Sequence, residues 1–377
     1  MVIDQSASRT LPLTRASCHA AQVAGRIPLV VNPRCHDHDP GAEIWIGVTT
    51  PGTEVAERVT VIESTLRELG HDVVSAREFD DTWLTHVHSA ELIDHLATVW
   101  DQWVTAGYPD LGAERVVPYL FPSEELLHGL RRRLPTALHA QVGTYCYDTM
   151  TLIGPGSWRA IRAATHAART AVELVASGAP YAYALTRPPG HHATRSAYGG
   201  SCYLNNTAIA AQALREAGYA RVAVIDVDAH HGNGTQAIFY ERSDVFTASV
   251  HVDPGAGWFP HHVGFADETG RDAGLGTNLN LTLAPGSGDE AWLSAVERAV
   301  DAAGDFDATA LVIALGVDAA IDDPESPLQV TIDGYWRAGD VLGALGLPTV
   351  VVQEGGYHLP TLGRLVGATL DGLAGTK

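Results

Sequence analysis

The sequence predicts an α/β fold in which a mostly parallel central sheet lies between two layers of helices. From residue 181 onward, short apolar runs alternate with helical stretches. Each run is apolar throughout rather than alternately polar and apolar, which is typical of parallel strands covered on both faces. No internal repeat, low-complexity tract or Pro- and Ser-rich linker divides the 377 residues, so we expect a single three-layer domain. The predicted strands span 181–185, 222–227, 245–250, 311–315 and 349–352.

Three amphipathic helices are predicted in the N-terminal half of the chain. The first ends at Gly70, because glycine is a common helix stop signal. The second begins after Ser89, which is a suitable N-cap, and the third runs from Ser157 to about Gly178. Their apolar faces should cover the sheet. The inward-facing residues are Val55, Val59, Ile62, Leu66 and Leu69 in the first helix, Leu92, Leu96, Val99 and Trp103 in the second, and Ile161, Ala164, Ala168 and Val172 in the third.

Two segments do not fit this pattern. Residues 108–141 lack periodicity and contain prolines at positions 109, 118, 122 and 135, so we predict a long loop insertion. A loop of this length is uncommon unless it has a function. Residues 1–27 lack the apolar core and small-residue cleavage site of a secretory signal, and we interpret them as an N-terminal extension.

Composition excludes several classes of function. The formal net charge of −20 repels phosphate backbones, so a nucleic-acid partner is not expected. The acidity could attract cationic partners, or it could serve solubility alone. No stretch of about eighteen apolar residues appears, so no membrane span is expected. The four cysteines show no paired spacing, so neither a disulfide framework nor a cysteine zinc site is indicated, and a reducing cytoplasm fits best. They are Cys18, Cys35, Cys146 and Cys202.

Polar residues that can bind a metal follow the predicted strands. Asp226, Asp228 and His230 lie two residues apart, so an extended backbone would direct them to one face. A carboxylate and an imidazole from this segment, together with Asp318 after the next strand, would form an open three-ligand site of the catalytic type. Such ligands suit Zn²⁺ but would also accept Fe²⁺ or Co²⁺. The alternative is that Asp228 and Asp318 only cap helices.

Three further side chains could act in proton transfer. His191 and His192 follow a Pro-Pro-Gly segment that forces the chain out of the sheet and presents both imidazoles at its rim. Histidine titrates near neutral pH, as amide hydrolysis requires, and Asp226 could orient one of the two rings. Tyr357 follows two glycines and could donate its hydroxyl to an oxyanion. The alternatives are a chance histidine pair and a buried structural tyrosine.

Other motifs are weaker. Residues 232–237 match the G-x-G-x-x-A dinucleotide fingerprint, with Asp253 about twenty residues later, but two histidines occupy the start of the turn. The histidine-rich segments 35–39 and 86–88 resemble metal-binding clusters. We predict that both segments are polar, solvent-exposed loops without a metal ion.

The motifs Arg187-Pro-Pro-Gly-His-His192, Asp226-Val-Asp-Ala-His-His-Gly-Asn-Gly-Thr-Gln236 and Glu354-Gly-Gly-Tyr357 together resemble the histone deacetylase superfamily. Within it the chain is most similar to bacterial acetylpolyamine amidohydrolases, through residues 100–108, 238–242 and 314–318. The resemblance implies the arginase/deacetylase fold with about eight strands. It also implies a catalytic domain over 28–377 with its loop insertion at about 108–141.

The resemblance also implies roles for the site residues. Zinc would be bound by Asp228, His230 and Asp318. His192 would act as general base and acid, and His191 would pair with Asp226. Tyr357 would polarise the acyl carbonyl, and Asn233 would give His192 a neutral partner, as in the class II type. A structural potassium ion would use Asp226 and Ser249 with backbone carbonyls of Asp228, His230 and Val250.

Substrate and assembly are expected from the same resemblance. Family tunnels have two aromatic walls; Phe259 keeps one, whereas Ser201 replaces the other. Gly200 and Gly355 would line the same tunnel, and His139 stands where polyamine enzymes carry an acidic residue. We expect a small N-acyl, N-acetylated amine as substrate and a homodimer formed through the insertion. The alternatives are a protein acetyl-lysine deacetylase and a non-catalytic metal- or dinucleotide-binding regulator.

Overall fold

A computed structural model describes residues 26–376 of the chain, and its centre is an eight-stranded sheet. Every neighbouring pair of strands in this sheet is parallel. The strands are β1 Leu29–Val31, β4 Val73–Ser75, β5 Tyr181–Ala184, β6 Val222–Asp226, β7 Val245–Val252, β8 Asn278–Leu283, β9 Ala310–Leu315 and β10 Thr349–Gln353, in the order β4-β1-β5-β10-β9-β6-β7-β8. A separate antiparallel hairpin joins β2 Glu43–Trp45 and β3 Val48–Thr50.

Helices cover both faces of the sheet and bury one hydrophobic cluster on each. Alternate strand residues supply the two clusters: Ala223 and Ile225 enter the first, whereas Val224 enters the second. The helices are α1 Glu57–Glu68, α2 Ala90–Thr105, α3 Glu124–Leu127, α4 Leu138–Tyr145, α5 Ser157–Ala176, α6 Asn206–Glu216, α7 Asn233–Phe239, α8 Asp289–Asp305, α9 Ile332–Gly343 and α10 Leu359–Leu373. The predicted three-layer α/β fold is confirmed.

Local signals account for the helix ends that were predicted. The Ser89 hydroxyl accepts a hydrogen bond from the backbone N–H of Leu92, at 3.3 Å, and so caps α2. Gly70 and Gly178 follow α1 and α5 with φ of +87° and +109°, a conformation that glycine adopts without steric cost. The five strands predicted after residue 181 are all present, with ends that differ by one or two residues.

The region 108–141 is largely irregular and contains two short helices, Pro109–Leu111 and α3, before α4 begins at Leu138. Unusually many of its apolar side chains are exposed: Leu111, Tyr119, Leu120, Phe121, Leu126, Leu130 and Leu134. The proposed extension at residues 1–27 lies outside the described residues up to position 25, whereas Ile27 is already part of the buried core. In the described part of the chain, no helix is long and apolar enough to span a membrane.

The prediction that the histidine-rich segments are solvated is wrong for His38 and His88, which are buried. His38 Nδ1 lies 3.0 Å from the Ser157 hydroxyl. His88 hydrogen-bonds to the Thr194 carbonyl at 3.0 Å, and its Nε2 accepts from the backbone N–H of Asn205 at 2.9 Å. Each ring is therefore satisfied by residues distant in sequence, and burial lowers the pKa of both to about 4.

Candidate active site

Five of the candidate site residues meet at the carboxyl edge of three adjacent strands, β10, β9 and β6. Asp226 is the last residue of β6, and Asp228 and His230 follow it in the loop before α7. Asp318 and Tyr357 lie in the loops after β9 and β10. Because the three strands are parallel neighbours, their ends deliver all these side chains to one crevice, as open α/β sheets do.

Asp228, His230 and Asp318 form a compact cluster. One potential ligand atom from each residue lies within 4.8 Å of those from the other two. His230 Nδ1 is 2.9 Å from Asp318 Oδ2 and 3.3 Å from Asp228 Oδ1. Neither carboxylate caps a helix: Asp318 Oδ1 accepts from the backbone N–H of Ala229, and Asp228 Oδ2 accepts from that of Gly355, both at 2.8 Å. The helix-cap interpretation therefore does not describe them.

The charge of this cluster favours a bound cation. Asp228 and Asp318 are almost fully buried side by side. Burial, followed by the charge of Asp228, raises the pKa of Asp318 to about 7, and the two carboxylates raise the pKa of His230 well above its usual value despite its burial. A divalent ion would supply the positive charge that the proton on His230 otherwise provides. One imidazole nitrogen and two carboxylate oxygens are a donor set that fits Zn²⁺, Fe²⁺ or Co²⁺.

Two glycines let the backbone approach these carboxylates. A Cβ atom on Gly316 would lie 2.0 Å from Asp228 Oδ2, and one on Gly355 would lie 2.6 Å from the same oxygen and 2.7 Å from Asp318 Oδ2. Any side chain at either position would displace the carboxylates. Gly355 therefore forms a wall of the acidic cluster.

The two adjacent histidines have different protonation states. His191 Nδ1 lies 2.9 Å from Asp226 Oδ2, and although burial opposes charge, Asp228 and Asp226 raise the pKa of His191 to about 10. His192 Nδ1 instead lies 2.7 Å from the amide oxygen of Asn233. Burial, together with the charges on His191 and then His230, lowers the pKa of His192 well below its usual value. At neutral pH the pair therefore consists of an imidazolium and a neutral imidazole.

Glu354 holds the turn that presents these histidines. Its Oε2 accepts from the backbone N–H groups of Gly190, at 2.6 Å, and His191, at 3.1 Å, and its Oε1 accepts from the Thr207 hydroxyl at 2.7 Å. Although His191, Cys202 and Glu354 also lie close enough to share a metal ion, both oxygens of Glu354 already accept hydrogen bonds. Burial raises the pKa of Glu354 to about 7.

A buried ion network supports Tyr357. The guanidinium of Arg58 lies 4.8 Å from the centre of the Tyr357 ring and donates to the carbonyls of Gly356, at 2.7 Å, and Glu354, at 2.5 Å. Glu54 binds both Arg58, at 2.9 Å, and Arg187, at 2.8 Å. Burial raises the pKa of Tyr357 well above 10, so its hydroxyl stays protonated and can donate.

Sequence reasoning missed the supporting residues Glu54, Arg58 and Asp323. The four-residue spacing of Glu54 and Arg58 was an available signal for an ion pair, because such residues are neighbours on a helical turn. Asp323 accepts a hydrogen bond from the backbone N–H of Tyr357 at 2.6 Å. No local pattern indicates this contact.

A cavity of about 90 Å³ leads to the candidate catalytic groups. It is lined by Glu43, Thr53, Met150, His192, Gly200, Ser201, His230, Phe259, Glu325 and Tyr357. The Phe259 ring meets His192 edge to face at 4.7 Å, and a Cβ atom on Gly200 would lie 2.4 Å from the same imidazole. His139 is placed elsewhere, on α4, where its Nδ1 is 2.7 Å from the Tyr108 hydroxyl.

The residues expected at a potassium site lie beneath this edge. Asp226 and Ser249 are paired in register between β6 and β7, and Val250 is fully buried in the next position. Asp226 Oδ1 accepts from the backbone N–H of Asp228 at 3.1 Å. A space of about 10 Å³ adjoins Asp226 and Ser249, which is about the size of one water molecule or ion.

The dinucleotide fingerprint does not form a phosphate cradle. The backbone N–H groups of Gly234 and Thr235 donate to the His191 carbonyl, at 3.0 and 3.1 Å. A Cβ atom on Gly234 would lie 2.3 Å from the Ala193 carbonyl oxygen. The glycine therefore permits close packing of two segments of this site.

Comparison with known proteins agrees with the geometry. Residues 52–373 match the histone deacetylase domain family. The acetylpolyamine amidohydrolase of Mycoplana ramosa is 40% identical over 335 residues, covering 88% of this chain and 95% of that protein. That of Burkholderia pseudomallei is 42% identical over 328 residues, covering 86% and 92%.

A crystal structure of acetylpolyamine aminohydrolase from Burkholderia pseudomallei superposes with a TM-score of 0.86 at 39% identity, covering 92% of this chain and 98% of that one. The resemblance predicted from the motifs is confirmed. The chain belongs to the histone deacetylase family, whose members are typically metal-dependent, and it is a hydrolase that acts on amide bonds.

Proposed function

We propose that this protein is a zinc-dependent deacetylase that hydrolyses the amide of a small N-acetylated amine of the acetylpolyamine type. The observation that carries the proposal is the convergence of the acidic cluster, the histidine pair and Tyr357 on one cavity. The similarity to acetylpolyamine amidohydrolases over nearly the whole length of both chains supports the substrate class.

We propose that Asp228, His230 and Asp318 hold the metal ion, with Zn²⁺ as the native metal and Fe²⁺ or Co²⁺ as possible substitutes. The bound ion supplies Lewis acidity toward the acyl carbonyl and toward water. The three ligands leave room beside them for substrate, because His230 lines the cavity while both carboxylates stay buried behind it.

His192 is the proposed proton carrier. The amide oxygen of Asn233 can only accept, so the Nδ1 of His192 donates to it and the Nε2 lone pair remains free. His192 takes a proton from the attacking water and later returns it to the departing amine nitrogen. His191, held as an imidazolium by Asp226, adds positive charge beside the developing anion.

Tyr357 is the proposed oxyanion donor. Its protonated hydroxyl lies in the cavity wall and can donate to the carbonyl oxygen as negative charge develops there. Arg58 fixes the loop through the carbonyls of Glu354 and Gly356 and lies against the tyrosine ring. These contacts therefore hold the tyrosine ring in the cavity wall.

We also propose a structural potassium ion, bound by Asp226, Ser249 and the carbonyls of Asp228, His230 and Val250. The register of β6 and β7 supports it, because Asp226 pairs with Ser249 and Val250 follows directly. Such an ion would fix the loop after β6, which carries two of the proposed metal ligands.

We propose a homodimer formed through the insertion at 108–141, with 28–377 as the catalytic domain. The seven exposed apolar side chains of the insertion support this, because exposed apolar residues grouped in one segment favour an interface. Light scattering on the wild type and on Leu130→Glu tests it: dissociation of a wild-type dimer by the substitution is expected, and a monomeric wild type would contradict it. Free, buried thiols at Cys35, Cys146 and Cys202 support a cytoplasmic location.

The decisive experiment compares acetylated polyamines, acetyl-lysine peptides and neutral N-acetyl alkylamines as substrates of the purified protein. Each is assayed after chelator treatment and after return of Zn²⁺, with metal analysis of every sample. We expect zinc-dependent turnover that is fastest with the polyamines. Preference for the peptides would instead indicate a protein deacetylase, and absence of metal-dependent turnover on all three would refute the proposed function.

A further inference from the structure

We infer that Glu43 and Glu325, here termed the acidic pair, select N-acyl amines that carry a second protonated amine close to the acyl group. The inference rests on the proposed function and names the residues that would determine its specificity. Both side chains line the cavity that contains His192, His230 and Tyr357.

Two separate elements bring the acidic pair into the cavity. Glu43 is the first residue of β2, in the small hairpin outside the main sheet. Glu325 lies in the loop after β9, and its Oε1 accepts from the Thr53 hydroxyl at 2.8 Å. A Cβ atom on Gly52 would lie 3.3 Å from Glu43 Oε1, so the neighbouring backbone passes close to this carboxylate. Neither glutamate is a predicted metal ligand.

Among the described residues the acidic pair has no positive partner. Within residues 26–376, neither carboxylate has an Arg or His nitrogen within 4.0 Å. The strongest charge effects on Glu43 come from other carboxylates, those of Glu325, Glu54 and Asp148. Burial and then Glu325 raise the pKa of Glu43 to about 7. A cation placed between the two glutamates would relieve this repulsion.

Glu54 provides the contrast. It is more deeply buried than either member of the acidic pair, yet Arg58 and Arg187 both bind it, and its pKa is lowered. This part of the chain therefore neutralises a structural carboxylate with its own arginines. The acidic pair is left for a cation that arrives with the substrate.

The remaining walls suit an ammonium group better than an alkyl chain alone. Phe259 offers one aromatic face, which attracts cations as well as methylene groups. Ser201 and Met150 also line the cavity, and neither adds a second ring. A neutral stem would desolvate the acidic pair without returning a charge or a hydrogen bond, which costs free energy and so disfavours such substrates.

Asp323 fixes the distance between the acidic pair and the catalytic tyrosine. Its Oδ1 accepts from the backbone N–H of Glu325 at 3.0 Å, and its Oδ2 accepts from that of Tyr357 at 2.6 Å. One buried carboxylate thus connects the loop that recognises the ammonium with the loop that contacts the carbonyl. The enzyme should consequently prefer one spacing between the amide and the second amine.

The test measures kcat/KM of the metal-loaded enzyme for N-acetylated α,ω-diaminoalkanes of increasing length and for neutral N-acetyl alkylamines of matched length. The variants are Glu43→Gln, Glu325→Gln and the double variant, and exposed Glu68→Gln is the matched control. Because a hydrogen bond to a charged group is worth about tenfold or more in binding, each single variant should lose about tenfold on the diamines, mainly through KM. Neutral substrates should be unaffected or improve, and the control should match the wild type.

Equal losses on charged and neutral substrates would overturn the inference, because they would indicate a structural role. So would a wild-type enzyme that does not prefer the diamines. Binding of the same acetylated diamines to the Tyr357→Phe protein, measured by calorimetry, gives a readout independent of turnover. If no N-acetyl amine is hydrolysed, the proposed function fails. Binding that is weakened by Glu43→Gln and Glu325→Gln would still support the role of the acidic pair in recognising the second amine. Unchanged binding in these variants would refute that role.

Discussion

Asn233→Asp should move the pH dependence of this enzyme in a defined direction. The Asn233 oxygen lies 2.7 Å from His192 Nδ1, so the substitution places a carboxylate against the imidazole without a change of shape. In the present structure burial, with the charges on His191 and His230, lowers the pKa of His192. The variant adds an opposite charge, which stabilises the protonated ring and raises that pKa.

The size of the shift follows from the distance. Two unit charges about 4 Å apart at an effective dielectric constant of about 20 interact by about 4 kcal/mol, which is about 3 pKa units. Carboxylates this close to a titrating group shift measured pKa values by about 1 to 3 units, because solvent and neighbouring dipoles reduce the interaction. We therefore expect the pKa of His192 to rise by about 1 to 3 units in Asn233→Asp, with the smaller value if water enters the site.

The assay is the pH profile of kcat/KM, with metal content determined at every pH. A general base must be neutral, so a higher pKa for His192 means that activity is lost at a higher pH as the solution is acidified. The acid limb of the Asn233→Asp profile should thus lie at a higher pH than that of the wild type. Asn233→Ser, which is neutral, is the control and should not raise it. An acid limb that stays in place or moves down in Asn233→Asp would refute the role of His192 as base.

Three other outcomes are expected. Tyr357→Phe should lower kcat by about 10²- to 10³-fold, the effect of removing an oxyanion donor, with the metal content unchanged in elemental analysis; near-normal turnover would exclude the role. Asp318→Asn should lose bound metal during dialysis and should not recover activity with Zn²⁺, whereas chelated wild type should recover, and retention of metal by the variant would contradict the ligand assignment. Glu54→Gln leaves Arg58 and Arg187 buried without a full counter-charge, which should cost about 3 to 5 kcal/mol. With an unfolding entropy of about 0.8 kcal/mol per kelvin for 377 residues, calorimetry should show a Tm lower by about 4 to 6 °C. An unchanged Tm would show that the ion pairs of Glu54 are not net stabilisers.

The strands that could be predicted from sequence are those buried on both faces. Residues Val222–Asp226 are all buried, so a continuous apolar run marks the strand. The three-residue strands β1 and β4 are too short for such a run to be distinguished from a loop. Strand β8 was not predicted, because polar side chains alternate along it and interrupt the apolar run. Asn278 and Asn280 both donate to the Gln236 amide oxygen.

The site divides in the same way. Asp226, Asp228 and His230 could be found because one strand end carries all three, and Asp318 because it follows a recognisable buried strand. The contact between Arg58 and the carbonyl of Gly356 could not be predicted, since the two residues are 298 positions apart in the chain. Contacts of this kind depend on tertiary packing, and no local spacing records them. The same reason explains why His38 and His88 were wrongly taken as solvated.

Six carboxylates of the site differ in their cationic partners. Those of Glu54 and Asp226 are bound by cationic groups of the protein, two arginines in one case and His191 in the other. Asp228 and Asp318 share the imidazole of His230, and Asp228 also lies 3.8 Å from His191 Nε2. Glu43 and Glu325 have no cation within 4.0 Å in the described part of the chain. Burying a carboxylate without a full counter-charge is costly, so a protein that keeps one such pair in the cavity wall and another behind it needs positive charge from outside. The pair beside His230 has the donor atoms and enclosure that a metal ion requires, whereas the less buried pair in the cavity wall suits an ammonium group. The same electrostatic argument thus leads to both the proposed metal and the proposed substrate.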